Sequence, residues 1–222
     1  MAEDTLLSEM HIHGINQSSR EIYLHGHYSS YLENNEEPGV EYKMATTFVK
    51  NLHYLQSIGD ESILIHMHTI GGSWNDGIAM FNSVEYSPNI ITILVYAHAR
   101  SMSSVILQSA DHRIMMPDSD FMIHHGWSSA EGSTLACISA FNFEKKLVDR
   151  MINIYAKKCI NGEFFQSKYK SVDCDRVKTY LKRKMRDKGD WWMSSEEAVY
   201  YGFADGILGD DNYSTMEFIR SI

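Results

Sequence analysis

Two turns in this sequence have the residues that acyl transfer requires. Hydrolysis of an amide needs a nucleophile exposed at a turn, a base beside it, and backbone N–H groups aimed where the carbonyl oxygen becomes an oxyanion. Gly71-Gly72 follows an apolar run and precedes a helical pattern; glycine there lets the backbone approach a ligand closely while its N–H groups stay free. Ser101 lies just after the apolar run ending at Tyr96 and opens the next helical pattern. The start of a helix carries unpaired N–H groups and a partial positive charge, which stabilise both an alkoxide and a tetrahedral oxyanion. The N–H groups of Gly72 and Met102 are the natural donors. Serine is also a common N-cap, because its hydroxyl accepts from the first free N–H groups of a helix, so the residues alone leave both readings of Ser101 open.

Other reactive side chains point less sharply. Histidines recur at i and i+2 in His11/His13, His25/His27 and His66/His68, which would share one face of a strand. No third ligand type stands at a zinc-site spacing, so no metal is expected. The cysteines are Cys137, Cys159 and Cys174, an odd number without metal-type spacing. They are expected as free packing thiols in a reducing compartment.

The elements that must position these groups alternate. Glu21–His25 reads as a short strand, Ser29–Gly39 as an acidic surface loop and Met44–Ile58 as an amphipathic helix. Ser62–His68 is a compact apolar strand, and Asn75–Tyr86 is a helix stopped by Ser87-Pro88. Ile90–Tyr96 is rich in β-branched residues without polar alternation, as a central strand covered on both faces would be. Arg113–Met116 and Phe121–His124 read as two further strands, ahead of a long helix from Ser133 to Ile160 closed by Asn161-Gly162. Such a helix extends about 40 Å, more than one core can cover, so part of it is expected to project and pack on another subunit. Ser194-Ser-Glu-Glu197 has capping-box spacing, and Gly202 suits the left-handed end of that helix. The alternation predicts a layered α/β fold of repeated strand–turn–helix units with parallel strands.

The whole chain, 222 residues, is expected to form a single domain. Residues 1–19 form an N-terminal segment, 133–160 the projecting helix and 209–222 a C-terminal tail. Net charge is -9, and the one basic run, Lys178–Lys188, suits a solvated helix face rather than a nucleic-acid surface. No apolar run approaches the ~20 residues that span a bilayer, and the N-terminus lacks a basic region followed by an apolar one. A soluble cytoplasmic protein with no nucleic-acid or membrane partner is expected.

Four segments together resemble the Clp protease proteolytic subunit family. They are Gly71-Gly72-Ser-Trp-Asn-Asp-Gly77, Ala99-Arg-Ser101-Met102, Pro117-Asp-Ser-Asp-Phe-Met-Ile-His124 and Asp190-Trp-Trp-Met-Ser-Ser-Glu-Glu-Ala198 through Gly202. The resemblance spans roughly Arg20 to Leu208. The 29-residue step from Gly72 to Ser101 and the 23-residue step to His124 agree with the family's spacing. The resemblance implies Ser101 as nucleophile, His124 as general base and Asp190 as the carboxylate that orients the histidine. His125 would point to the other face of an extended segment, and Asp187, three residues ahead of Asp190, is a rival that motif register sets aside. The family's fold is the layered one it shares with crotonases. Its partners would be peptides and unfolded chains, further copies in stacked heptameric rings forming a tetradecamer, and an AAA+ Clp ATPase that uses the ATP, so the chain itself would hold no cofactor. Tyr28, Tyr31, Phe81 and Tyr96 are aromatic candidates for ATPase-docking pockets, although core packing is the simpler reading of each.

The sequence also departs from the family. Arg100 precedes the nucleophile where a small residue is usual, Gly126 stands in place of a proline after the histidine, and Asn161–Gly189 is longer than its counterpart. The first two bear on the substrate groove, and the third on whether Asp190 reaches the histidine before subunits assemble. Two other readings compete with a peptidase: a silent structural subunit of the same fold, and a crotonase-type acyl-CoA enzyme, which needs neither the Ser-Met nor the Met-Ile-His segment.

Overall fold

The computed structural model describes residues 6–25 and 39–222. Residues 29–38 of the expected loop, and His27, Tyr28 and Tyr31, lie outside them. Strands β1 (Ile15–Asn16) and β2 (Glu21–His25) pair antiparallel at one edge of the sheet. Next come β3 (Ile63–Thr69), β4 (Ile91–Arg100) and β5 (His112–Met115), which with β2 are mutually parallel. Strand β4 is longer than its apolar run, because on the side away from β3 it has two successive partners. Thr92–Val95 pairs with β5, whereas His98–Arg100 pairs with β6 (Asp120–Ile123). β6 in turn pairs antiparallel with β7 (Trp191–Ser194), and β8 (Gly206–Ile207) lies parallel beside β5. The expectation of parallel strands is thus corrected: the sheet is mixed. The chain leaves β6, makes a long helical excursion and returns reversed as β7.

The helices follow their sequence signals closely. α1 (Tyr42–Ile58) begins where the Glu41 carboxylate accepts from the Lys43 and Met44 N–H groups, and α2 (Trp74–Glu85) is capped by Ser73. α3 (Met102–Leu107) is short, and α4 (Thr134–Cys159) is the long helix. Nothing between Thr134 and Lys146 is buried, whereas Leu147, Met151, Ile152, Tyr155, Ala156 and Cys159 enter the core. The half-covered helix predicted from its length is therefore present. The stretch from Asn161 to Gly189 holds α5 (Glu163–Lys168) and α6 (Cys174–Lys188), the latter carrying the basic run on its exposed side. α7 (Ser195–Tyr201) has the full capping box between Ser194 and Glu197, and Gly202 closes it at φ 82°. The C-terminal tail contains α8 (Met216–Arg220).

Alternate side chains of the central strands feed two apolar clusters. Ile63, Ile65, Met67, Ile91, Ile93 and Val95 join the main core beneath the helices. Leu64, Leu94 and Ile114 point to the opposite face, where Ile219 of α8 covers them. Phe81 is part of the main core, and the three cysteines are unpaired, with Cys159 fully buried and its thiol pKa raised by that burial. His11 and His13 lie in a short π-helical turn, Glu9–His13, so they do not share a strand face as expected. Among the described residues no three His, Cys, Asp or Glu side chains converge as metal ligands would, and no helix is long and apolar enough to cross a membrane.

Candidate active site

Ser101 stands where β4 ends and α3 begins. Its backbone adopts φ 52° and ψ −123°, a combination that L-residues populate sparsely and that persists only where the surroundings enforce it. Those surroundings are a set of short bonds. The Ser101 N–H donates to the Met122 carbonyl at 3.0 Å, and the Ser104 N–H and hydroxyl both reach the Ser101 carbonyl, at 3.1 and 2.6 Å. Ser103 Oγ accepts from the Arg100 N–H at 2.9 Å and lies within reach of the Thr69 and Arg100 carbonyls. With the Ser104 proton committed, Tyr155 donates to Ser104 Oγ across 2.7 Å, which ties α3 to α4. The side chain of Ser101 makes no cap bond, so the N-cap reading fails. Its Oγ lies 2.8 Å from His124 Nε2 instead.

The β6–β7 register explains why His124 meets Asp190. Ile123 pairs with Trp191 in an antiparallel ladder, so the next opposed positions are 124 and 190. His124 Nδ1 lies 3.2 Å from Asp190 Oδ1. The carboxylate fixes the tautomer: Nδ1 carries the proton, and Nε2 is left to accept from Ser101. Side-chain exposure is 25% for His124 and 55% for Asp190, so the pair opens toward solvent. The contact forms within one chain, so the longer 161–189 segment does not displace the aspartate. Asp187 is exposed at the end of α6 and pairs with Arg186 at 3.3 Å. His125 lies at the surface, where partial desolvation of its ring first, then the neighbouring His124, lowers its pKa.

The diglycine turn is held against Ser101 at distances only glycine permits. A Cβ on Gly71, at φ 93°, would come within 2.5 Å of the Arg100 carbonyl oxygen and 2.8 Å of both Met102 N and Ser101 Cβ. A Cβ on Gly72 would meet Val40 backbone at 2.4 Å. Val40 donates to the Gly71 carbonyl and accepts from the Ser73 N–H, at 2.6 and 2.9 Å. That parallel bridge leaves the N–H of Gly72 itself outside the ladder. Gly72, Ser101, Met102 and His124 all line one cavity of about 440 Å³, which Trp74, Trp127 and the α4 residues Glu144, Leu147 and Met151 complete.

Some of these residues escaped the sequence reading. Gly126 and His125 do line the cavity, but Arg100 does not. Arg100 ion-pairs with Asp120 at 2.6 Å and stacks 4.7 Å over the Trp192 ring, bracing β4, β6 and β7 together beside the histidine and aspartate. Glu144, Leu147, Val148 and Met151 fall on one helix face by their i, i+3, i+4, i+7 spacing, a signal that was available in the sequence. Tyr96 and His66, within β4 and β3, bond to each other at 2.9 Å.

An α/β sheet that presents serine, histidine and aspartate in hydrogen-bonded succession at its strand ends, beside a free amide turn, has the build of a serine hydrolase. Comparison with known proteins narrows that class. The model of the Clp protease family matches residues 36–211. The chain is 30% identical over 172 residues to the ATP-dependent Clp protease proteolytic subunit of Deinococcus radiodurans, covering 76% of each chain. It is 29% identical to that of Leuconostoc citreum, covering 76% of this chain and 78% of the relative, and 27% identical to that of Streptococcus gordonii, covering 79% and 83%. The chain belongs to the Clp protease family and is a serine-type peptidase.

Proposed function

We propose that the chain cleaves peptides and unfolded proteins through a triad of Ser101, His124 and Asp190. The observation that carries the reading is the continuous hydrogen-bond path from Ser101 Oγ through the imidazole to Asp190, at 2.8 and 3.2 Å. His124 Nε2 takes the Ser101 proton as Oγ attacks the carbonyl, and the imidazolium that forms is stabilised by Asp190. The oxyanion receives the N–H groups of Gly72 and Met102, and collapse of the intermediate hands the proton to the leaving amine. Water then repeats the sequence on the acyl-enzyme and regenerates the serine.

The exposed half of α4 supports assembly of several copies. Leu135, Ile138, Phe141 and Phe143 are 79, 51, 47 and 53% exposed, large apolar side chains that a covering partner would remove from water. Further copies of this chain cover it, in heptameric rings stacked to a tetradecamer that encloses the active sites. The similar proteins are named as ATP-dependent subunits, which supports an AAA+ Clp ATPase as the partner that feeds substrate. ATP is used by that partner, the chain itself holds no cofactor, and the enzyme works in the cytoplasm. The test is hydrolysis of a short fluorogenic peptide by wild type and Ser101→Ala, with native mass measured on both. Loss of turnover in an intact oligomer supports the proposal; equal turnover by the two overturns it.

A further inference from the structure

The cavity beside Ser101 carries a group that the triad does not use. On its α4 wall Leu147 and Met151 are buried, and Met102 and Val105 of α3 face them, giving the cavity an apolar channel. Glu144 occupies the same helix face and breaks this pattern. It is half-buried, and among the described residues it makes no ion pair and no side-chain hydrogen bond. Glu144 also borders a second cavity of about 1100 Å³, whose lining includes Lys145, Lys182, Arg183 and Arg186. Lys182 pairs with Asp149 at 2.7 Å, Arg186 with Asp187 at 3.3 Å, and Arg183 stacks on Tyr180. Lys145, the next residue of the helix, shares that second lining but does not line the Ser101 cavity.

Among the described residues lining the Ser101 cavity, Glu144 is the only acidic, Lys or Arg side chain. A partly desolvated carboxylate without a partner is unfavourable, and an arriving cation relieves that. The faces of Trp74 and Trp127, in the same lining, attract cations too. A side chain that suits this wall is long, apolar along its stem and positive at its tip.

Building on the triad reading, we infer that the enzyme selects Lys or Arg as the residue on the acyl side of the scissile bond. The methylenes of that residue lie along Met102, Val105, Leu147 and Met151, and its charged end meets Glu144.

Peptide amides that differ only in the acyl-side residue test this, with lysine, arginine, norleucine, leucine and glutamate compared. Wild type should favour lysine and arginine over norleucine and leucine by about 10- to 100-fold in kcat/KM, the range a specific pocket contact supplies. Glu144→Gln should bring lysine to within about threefold of norleucine, because only the charge contact is removed. Glu144→Lys should move the preference toward glutamate. The lysine–norleucine comparison in wild type stands whether or not a variant folds. Equal or better turnover of norleucine by an enzyme whose Ser101 reacts with a fluorophosphonate overturns the inference and leaves the triad intact. An unlabelled Ser101 with no peptide turned over overturns the triad reading, and the inference with it.

Discussion

Two histidine–carboxylate pairs sit on the same sheet, and they show how burial decides what one arrangement does. His66 Nε2 meets Glu21 at 3.0 Å, its other nitrogen meets the Tyr96 hydroxyl at 2.9 Å, and both members of the pair are almost wholly buried, at 5 and 1% exposure. Around His124 the order is the same: hydroxyl, imidazole, carboxylate. At His66, however, the hydroxyl is a phenol whose pKa burial raises, while Tyr23 stacks on the imidazole at 4.5 Å and also bonds Glu21. Arg220 of α8 adds a 2.6 Å bond to the same carboxylate, so the cluster fastens the C-terminal helix over the second apolar face. At His124 the hydroxyl belongs to a serine in a strained turn, at a helix start, facing a cavity. The sealed set stores stability, and the open set is available for chemistry.

The sharpest way to break this comparison is to remove each imidazole. His124→Ala should lower kcat/KM by about 10⁴-fold or more, while His66→Gln should leave turnover per folded subunit within about threefold; equal losses would contradict the division. Neutralising the carboxylates comes next. Asp190→Asn should reduce kcat by about 10³-fold, below the about 10⁴-fold of a buried orienting aspartate, since water reaches this half-exposed group. Glu21→Gln should instead destabilise the fold by about 3 kcal/mol, breaking a buried charged network, and lower Tm by about 6–12 °C.

Acid sharpens the contrast further. Burial holds His66 below its ordinary 6.5, so the unfolded chain takes up that proton first and stability falls as pH drops below that value. For Glu21, burial alone raises the pKa, but bonds from Arg220, Tyr23 and His66 outweigh it and the carboxyl is held below its ordinary 4.5. Its contribution is complete above that value and is lost as pH falls through the depressed one. Tm should therefore decline steadily from about pH 7 to about pH 5, with His66→Gln flattening the decline; a Tm that rises on acidification is the opposite result. The smallest effect belongs to a control. Lys182 and Asp149 are closer than either histidine pair, at 2.7 Å, but both are more than half exposed. Lys182→Ala should cost less than about 0.5 kcal/mol by chemical denaturation.

Much of the site could be read from the sequence because local signals coincide there. The apolar runs of β3 and β4, the diglycine turn and the Ser194 capping box each declare themselves within a few residues. What stayed hidden depends on distant partners. The end of β4, Ala97-His98-Ala99-Arg100, lies beyond the continuous apolar run, and pairing with β6 on one side and Thr69 of β3 on the other holds it extended. Four-residue β7 and five-residue α8 are too short for periodicity to show. The bracing role of Arg100 requires Asp120 and Trp192, neither of which is near it in sequence. The bond of Tyr96 to His66 joins residues 30 apart in the sequence, so no local pattern could show it.

The central claim is that His124 activates Ser101, and fluorophosphonate labelling followed by peptide mapping tests it most directly. The account predicts a single adduct on Ser101 in the assembled wild-type protein, forming at a rate that falls by about 10³-fold or more in His124→Ala. An adduct on another serine, or a Ser101 adduct that forms equally fast without the imidazole, would contradict it.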